Sequence, residues 1–111
     1  YHANYIKFFE RARSEFLYSN NISQNNLKSN NLAFVIKSIN IKYISAAELG
    51  DEISVQSTVE KKSDARMIFS QKVVNINNNM EHASGEVEVC FINLLTKKPQ
   101  KFPDDLLLIF N

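Results

Sequence analysis

Glycine is nearly absent from this chain, occurring only at Gly50 and Gly85 in 111 residues. Phosphate-binding loops of the Rossmann and P-loop kinds need two or three closely spaced glycines, so nucleotide binding of either kind is excluded. Cysteine occurs once, at Cys90, and histidine twice, at His2 and His82. An intramolecular disulfide is therefore impossible and no zinc-ligand spacing is present, which makes a cytoplasmic, reducing setting without a structural metal the expectation. Long apolar runs are missing too. The longest, Leu32 to Ile36 and Leu106 to Phe110, fall far short of the roughly 20 residues of a membrane-spanning helix, and no basic-then-apolar signal segment opens the chain. Neither membrane insertion nor export is expected. A net charge of +1 with 23% charged residues gives no polycationic surface, and nucleic acid is not indicated.

What is present is a globular composition, 44% apolar, in a length that suits one domain over residues 1–111 with one core. The opening stretch, Tyr1 to Leu17, reads as a long helix. Tyr5, Phe9, Ala12 and Phe16 fall at i, i+4, i+7 and i+11 on one face, and Ile6 and Phe8 widen that face until the first half should be buried nearly all round. Asn4 has the chemistry of an N-cap, and Arg11 and Glu15 are spaced to pair on the wet side. Tyr1, His2 and Ala3 then sit at the positive end of the helix dipole, which suits a site where an oxyanion develops.

The polar stretch 19–31 reads as a loop with one short helical turn from Ser23, its asparagines a matter of composition. Leu32 to Tyr43 is an extended segment in which Ile39, Ile41 and Tyr43 alternate on one face. A second strand follows the Leu49–Glu52 turn, with Ile53, Val55 and Val59 alternating. Lys61 to Asp64 links it to a third strand, Arg66 to Ile76, and Asn77 to Asn79 turn the chain into a fourth, which holds Ala83 to Phe91. Links this short imply antiparallel neighbours. His82 falls with the polar face of the fourth strand and reads as a surface residue; Cys90 reads as a small apolar one. Pro99 and Pro103 end strand structure, and Pro103-Asp104-Asp105 opens a short terminal helix. The class is α+β: one long buried helix wrapped by a curled sheet of four antiparallel strands.

The opening Tyr1-His2-Ala3-Asn4-Tyr5, followed by Phe8-Phe9-Glu10-Arg11-Ala12-Arg13-Ser14-Glu15, resembles the helix motif of hotdog-fold acyl-CoA thioesterases of the 4-hydroxybenzoyl-CoA type. The nearest likeness is to the bacterial branch associated with the Tol-Pal envelope system. Ala33 to Lys37, Tyr43 to Asp51, Phe69 to Asn75, Lys97-Lys98-Pro99 and Phe102-Pro103 fall in the family's order, so the likeness covers essentially the whole chain. It implies a hotdog fold that dimerises or tetramerises through strand edges, with residues of about 32 to 44 near the interface. Ala46 stands where the family commonly has Pro. The family's catalytic Asp and its first strand come before the Tyr-His pair, so both are expected upstream of Tyr1.

Attack on a thioester carbonyl needs a stabilised oxyanion and a carboxylate that either attacks or activates water. By the resemblance, His2 orients or polarises the thioester, Tyr1 assists, and backbone N–H groups of Ala3, Asn4 and Tyr5 bind the oxyanion. Lys61, Lys62 and Arg66 are candidates for the phosphates of coenzyme A, which is part of the substrate and not a cofactor, and Lys97, Lys98 and Lys101 form a similar cluster. Two readings stay open. One is an acyl-CoA thioesterase; the other is a non-catalytic hotdog module that binds acyl-CoA, acyl carrier protein or an envelope partner.

Overall fold

The computed structural model describes residues 4–110. Helix α1 spans Asn4–Ser19 and α2 spans Gln24–Ser29. The strands are β1 Leu32–Tyr43, β2 Ile53–Lys61, β3 Arg66–Asn75, β4 Glu81–Asn93 and β5 Lys98–Pro99, and a 3₁₀ helix covers Leu106–Phe110. All pairings are antiparallel, in the order β1-β4-β3-β2, with β5 added beside β4. A curled sheet packs against one long helix, as a hotdog fold requires. The four long strands match the sequence reading. The fifth is extra: Pro99 continues strand structure for two residues because Lys98 and Pro99 need only an edge against Asn93 and Ile92.

Strand register explains why one sheet face is apolar. Met67, Phe69, Gln71 and Val73 of β3 lie beside Val89, Val87, Gly85 and Ala83 of β4, all on the side that meets α1. In β1 the apolar residues sit at even numbers, Phe34 and Ile36, and then at odd ones, Ile39, Ile41 and Tyr43. A register shift between Ile36 and Ser38 absorbs that change of phase, making Lys37 the extra residue of a bulge and keeping all five on the helix side.

The buried stripe of α1 is Tyr5, Phe9, Arg13 and Leu17, a row of i, i+4 steps. Ala12 and Phe16, expected at its centre, are half-buried, and Ile6 is 44% exposed because the sheet covers one side of the helix only. Burying Phe9 and Leu17 contributes about 1.5–3 kcal/mol each. Arg11 and Glu15, expected to pair, are both exposed and do not pair with each other, since a surface pair gains too little to fix two long side chains.

The asparagines have a structural use. Asn21, with φ 63°, stops α1 in a left-handed cap: the N–H of Ile22 bonds to the Leu17 carbonyl at 2.9 Å and that of Asn21 to Tyr18 at 3.0 Å. Asn31 and Asn79 hold φ 60° at the turns after α2 and after β3. In a chain with two glycines, asparagine takes three of the four described non-glycine positions with positive φ, and Lys97, at φ 62°, takes the fourth.

Candidate active site

Tyr1, His2 and Ala3 lie outside the described residues, as does the side chain of Asn4, and with it the expected N-cap. The described site is the ground under the helix start. Tyr5 is 1% exposed and stacks on Tyr43 with ring centroids 5.7 Å apart, and its centroid lies 6.2 Å from that of Phe8. One turn on, Phe9 rests against Gly85, where an added Cβ would stand 3.1 Å from Phe9 Cε2 and 2.8 Å from the Asn40 carbonyl oxygen. Glycine here lets the helix and β1 close on β4. Asn4 and Tyr5 open α1 with no acidic residue in the first turn, leaving the positive end of the dipole unneutralised from within.

His82 is buried, 2% exposed, not a surface residue. Val73 pairs with Ala83 and Val74 with Glu81, so His82 is the extra residue of a bulge and drops out of the simple alternation. Its carbonyl accepts the N–H of Ile44 at 2.9 Å, and its Nδ1 lies 3.0 Å from Ser45 Oγ. The Ser45 hydroxyl also lies 2.9 Å from the Glu81 carbonyl oxygen. That oxygen can only accept, so it takes the single hydroxyl proton and His82 Nδ1–H donates to Ser45. The arrangement is the reverse of a Ser-His nucleophile, in which the ring must accept the hydroxyl proton.

Lys61, Lys62 and Arg66 do gather at the β2–β3 hairpin, but each already has a carboxylate. Lys62 Nζ is 2.6 Å and Arg66 Nη1 3.4 Å from Glu88, and Lys61 Nζ is 3.3 Å from Asp64. The Lys62 hydrogen bond, with Arg66 and Lys37 adding to it, holds the Glu88 carboxyl below its ordinary range. The hairpin is also at the far end of the sheet. The helix start packs on Val73 and Ala83, whereas Lys61 pairs with Met67, about 20 Å away along β3. Within one chain the cationic trio and the helix start do not meet.

Arg13 is the polar residue that periodicity alone did not single out. It stands four residues from both Phe9 and Leu17, in phase with the buried stripe, and is 7% exposed. That phase was the available signal. Its Nη1 donates to Gln71 Oε1 at 3.0 Å, while Gln71 Nε2 donates to the Phe9 carbonyl and to Ser57 Oγ, each at 3.0 Å. Burial lowers the pKa of the guanidinium, and nearby Glu10 works the other way. Beside it lies a cavity of about 200 Å³ between α1 and the sheet. Glu10, Ser14, Gln24 and Ile36 form its exposed rim, and Leu17, Met67, Phe69 and Val89 its buried floor. A larger groove, about 480 Å³, runs over the opposite, polar face of the sheet past Lys42, Thr58, Ser70, Lys72 and Glu86.

The Thioesterase-like superfamily matches residues 1–110. The acyl-CoA thioester hydrolase YbgC of Escherichia coli is 31% identical over 110 residues, which cover 99% of this chain and 81% of that protein. The acyl-CoA thioesterase YbgC of Haemophilus influenzae is 36% identical over 112 residues, 100% of this chain and 81% of that one. Among solved structures, a 1,4-dihydroxy-2-naphthoyl-CoA thioesterase from Synechocystis superposes with a TM-score of 0.92 at 19% identity, covering 99% of this chain and 81% of its own. At that identity the superposition establishes the fold. The helix motif, the hotdog architecture and the relatives agree: the chain belongs to the Thioesterase-like superfamily.

Proposed function

We propose that this protein hydrolyses the thioester of an acyl-CoA to a free acid and coenzyme A. The observation that carries the reading is 31 and 36% identity, over essentially the whole chain, to proteins named acyl-CoA thioester hydrolase and acyl-CoA thioesterase. In this mechanism the carbonyl sits at the start of α1. His2 polarises it, Tyr1 assists, and the backbone N–H groups of Ala3, Asn4 and Tyr5 receive the developing oxyanion, where the helix dipole favours negative charge. The attacking or water-activating carboxylate is the Asp that the family motif carries before its Tyr-His pair. Lys61, Lys62 and Arg66 would exchange their present carboxylates for the phosphates of coenzyme A.

The working unit in this reading is a two-fold dimer, or a tetramer of such dimers, joined along β1. The described edge of β1 has no strand beside it, and Ile36, Ile39 and Tyr43 are 47, 40 and 47% exposed on its helix side. Acyl carrier protein, which also presents thioesters, is a second possible donor, and the cytoplasm is the compartment that suits either. No described helix is long and apolar enough to cross a membrane. Thiol release from a panel of acyl-CoAs tests the proposal; binding of acyl-CoA without release would favour the non-catalytic module.

A further inference from the structure

The cavity beside α1 pairs an apolar floor with a buried guanidinium that makes no ion pair among the described residues. Arg13 spends one N–H on Gln71, and its remaining N–H groups have no acceptor among the described residues. None of its nitrogens is sealed off without a partner, and Arg13 is one of the residues that line the cavity. Among the described residues no carboxylate forms an ion pair with it; Glu10 is near enough to act through space but is exposed and solvated. A guanidinium desolvated to this degree is stabilised best by a planar anion that accepts two of its N–H groups at once. At about 30 Å³ per non-hydrogen atom, 200 Å³ holds about seven atoms.

We infer that this cavity binds an acyl group whose far end carries a carboxylate, with methylenes against Leu17, Phe34, Met67 and Phe69 and the carboxylate on Arg13. The protein would then prefer dicarboxylic acids activated at one end. This rests on the thioesterase reading for what the acyl group is attached to, but the carboxylate preference of the cavity does not. Arg13 is nine residues beyond Asn4, about 14 Å along the helix, too far for so short a chain to reach from the start of its own α1. The cavity lies at the Phe34–Ile36 end of β1 and the helix start at its Tyr43 end. Two copies joined antiparallel along β1 place one copy's cavity beside the other's helix start, so the thioester and its tail would be held by different protomers.

The test compares adipoyl-CoA with isooctanoyl-CoA, in which an isopropyl group replaces the carboxylate at equal size. The full-length protein should show kcat/KM at least tenfold higher for adipoyl-CoA. Arg13→Lys should keep part of that preference, and Arg13→Met should reverse it. Equal rates, or a preference for isooctanoyl-CoA in the unaltered protein, would overturn the inference, whether or not either variant folds. If neither thioester is cleaved, calorimetric titration with monomethyl adipate and methyl isooctanoate decides the cavity separately from the thioesterase reading, which the wider acyl-CoA panel tests. Binding of the anion alone supports the inference; binding of the neutral ester alone, of both equally, or of neither contradicts it.

Discussion

Arg13 on α1 and Gln71 on β3 are joined by a hydrogen bond of 3.0 Å in the middle of the helix–sheet interface, and Gln71 carries the link onward to the Phe9 carbonyl and Ser57. One amide thus answers a buried cation, a helix carbonyl and a strand hydroxyl. Gln71→Leu keeps the volume and deletes all three bonds. It should lower stability by about 2–4 kcal/mol, because the guanidinium loses the acceptor it has among the described residues. Urea denaturation at neutral pH measures this. A loss below about 0.5 kcal/mol would mean that the network contributes little.

Gly85 gives a steric prediction. In Gly85→Ala the new methyl would meet the Asn40 carbonyl oxygen at 2.8 Å and Phe9 Cε2 at 3.1 Å, and backbone cannot swing aside as a side-chain tip can. A destabilisation of about 1–3 kcal/mol is expected. Thermal unfolding beside Gly50→Ala separates sterics from backbone strain, since Gly50 has φ +92° and nothing within 4 Å of an added Cβ. The signature is a Gly85 variant with weakened contact between α1 and β4, seen as faster amide exchange in both elements.

Acid should weaken the β2–β3 hairpin through Glu88. Its folded pKa is depressed from 4.5, first by the hydrogen bond from Lys62 and then by the charges of Lys62, Arg66 and Lys37. A depressed carboxylate contributes stability that is complete above the unfolded value and is lost as pH falls through the folded one. Stability should therefore decline on titration below the ordinary carboxylate range, and Glu88→Gln should flatten that part of the profile. An unchanged profile would remove Glu88 from the account.

The β1 edge should mediate association. Ile39→Lys places a charge on the exposed apolar strip of β1 without touching the buried core, so it should shift the protein from dimer toward monomer while leaving the fold intact. Light scattering over a range of concentrations checks both proteins. A monomer at every concentration for the unaltered chain would contradict the edge-pairing proposal.

Much of this fold was legible in the sequence because its strands alternate cleanly and its turns are short. Ile53, Val55 and Val59 and the row from Met67 to Val73 landed on the expected face. Legibility failed where a bulge changed the phase, as at Lys37 and His82, and where a polar residue replaced an apolar one in phase. Arg13 entered the sequence reading only as a member of the helix motif, since burial of a cation depends on Gln71, 58 residues away. Asparagines dismissed as composition turned out to hold three left-handed turns. The start of the helix was readable as a motif through Tyr1 and His2, whose chemistry the sequence carries and whose neighbours only tertiary structure can supply.

The central claim is thioester hydrolysis at the start of α1, and thiol release by the full-length protein tests it most directly. The unaltered protein should release coenzyme A catalytically from at least one acyl-CoA. His2→Ala should lower turnover by about 10- to 1000-fold, with its unfolding transition unchanged. Absence of release from every acyl-CoA by a folded, full-length protein would contradict hydrolysis itself, and undiminished turnover in His2→Ala would contradict the site assigned to it.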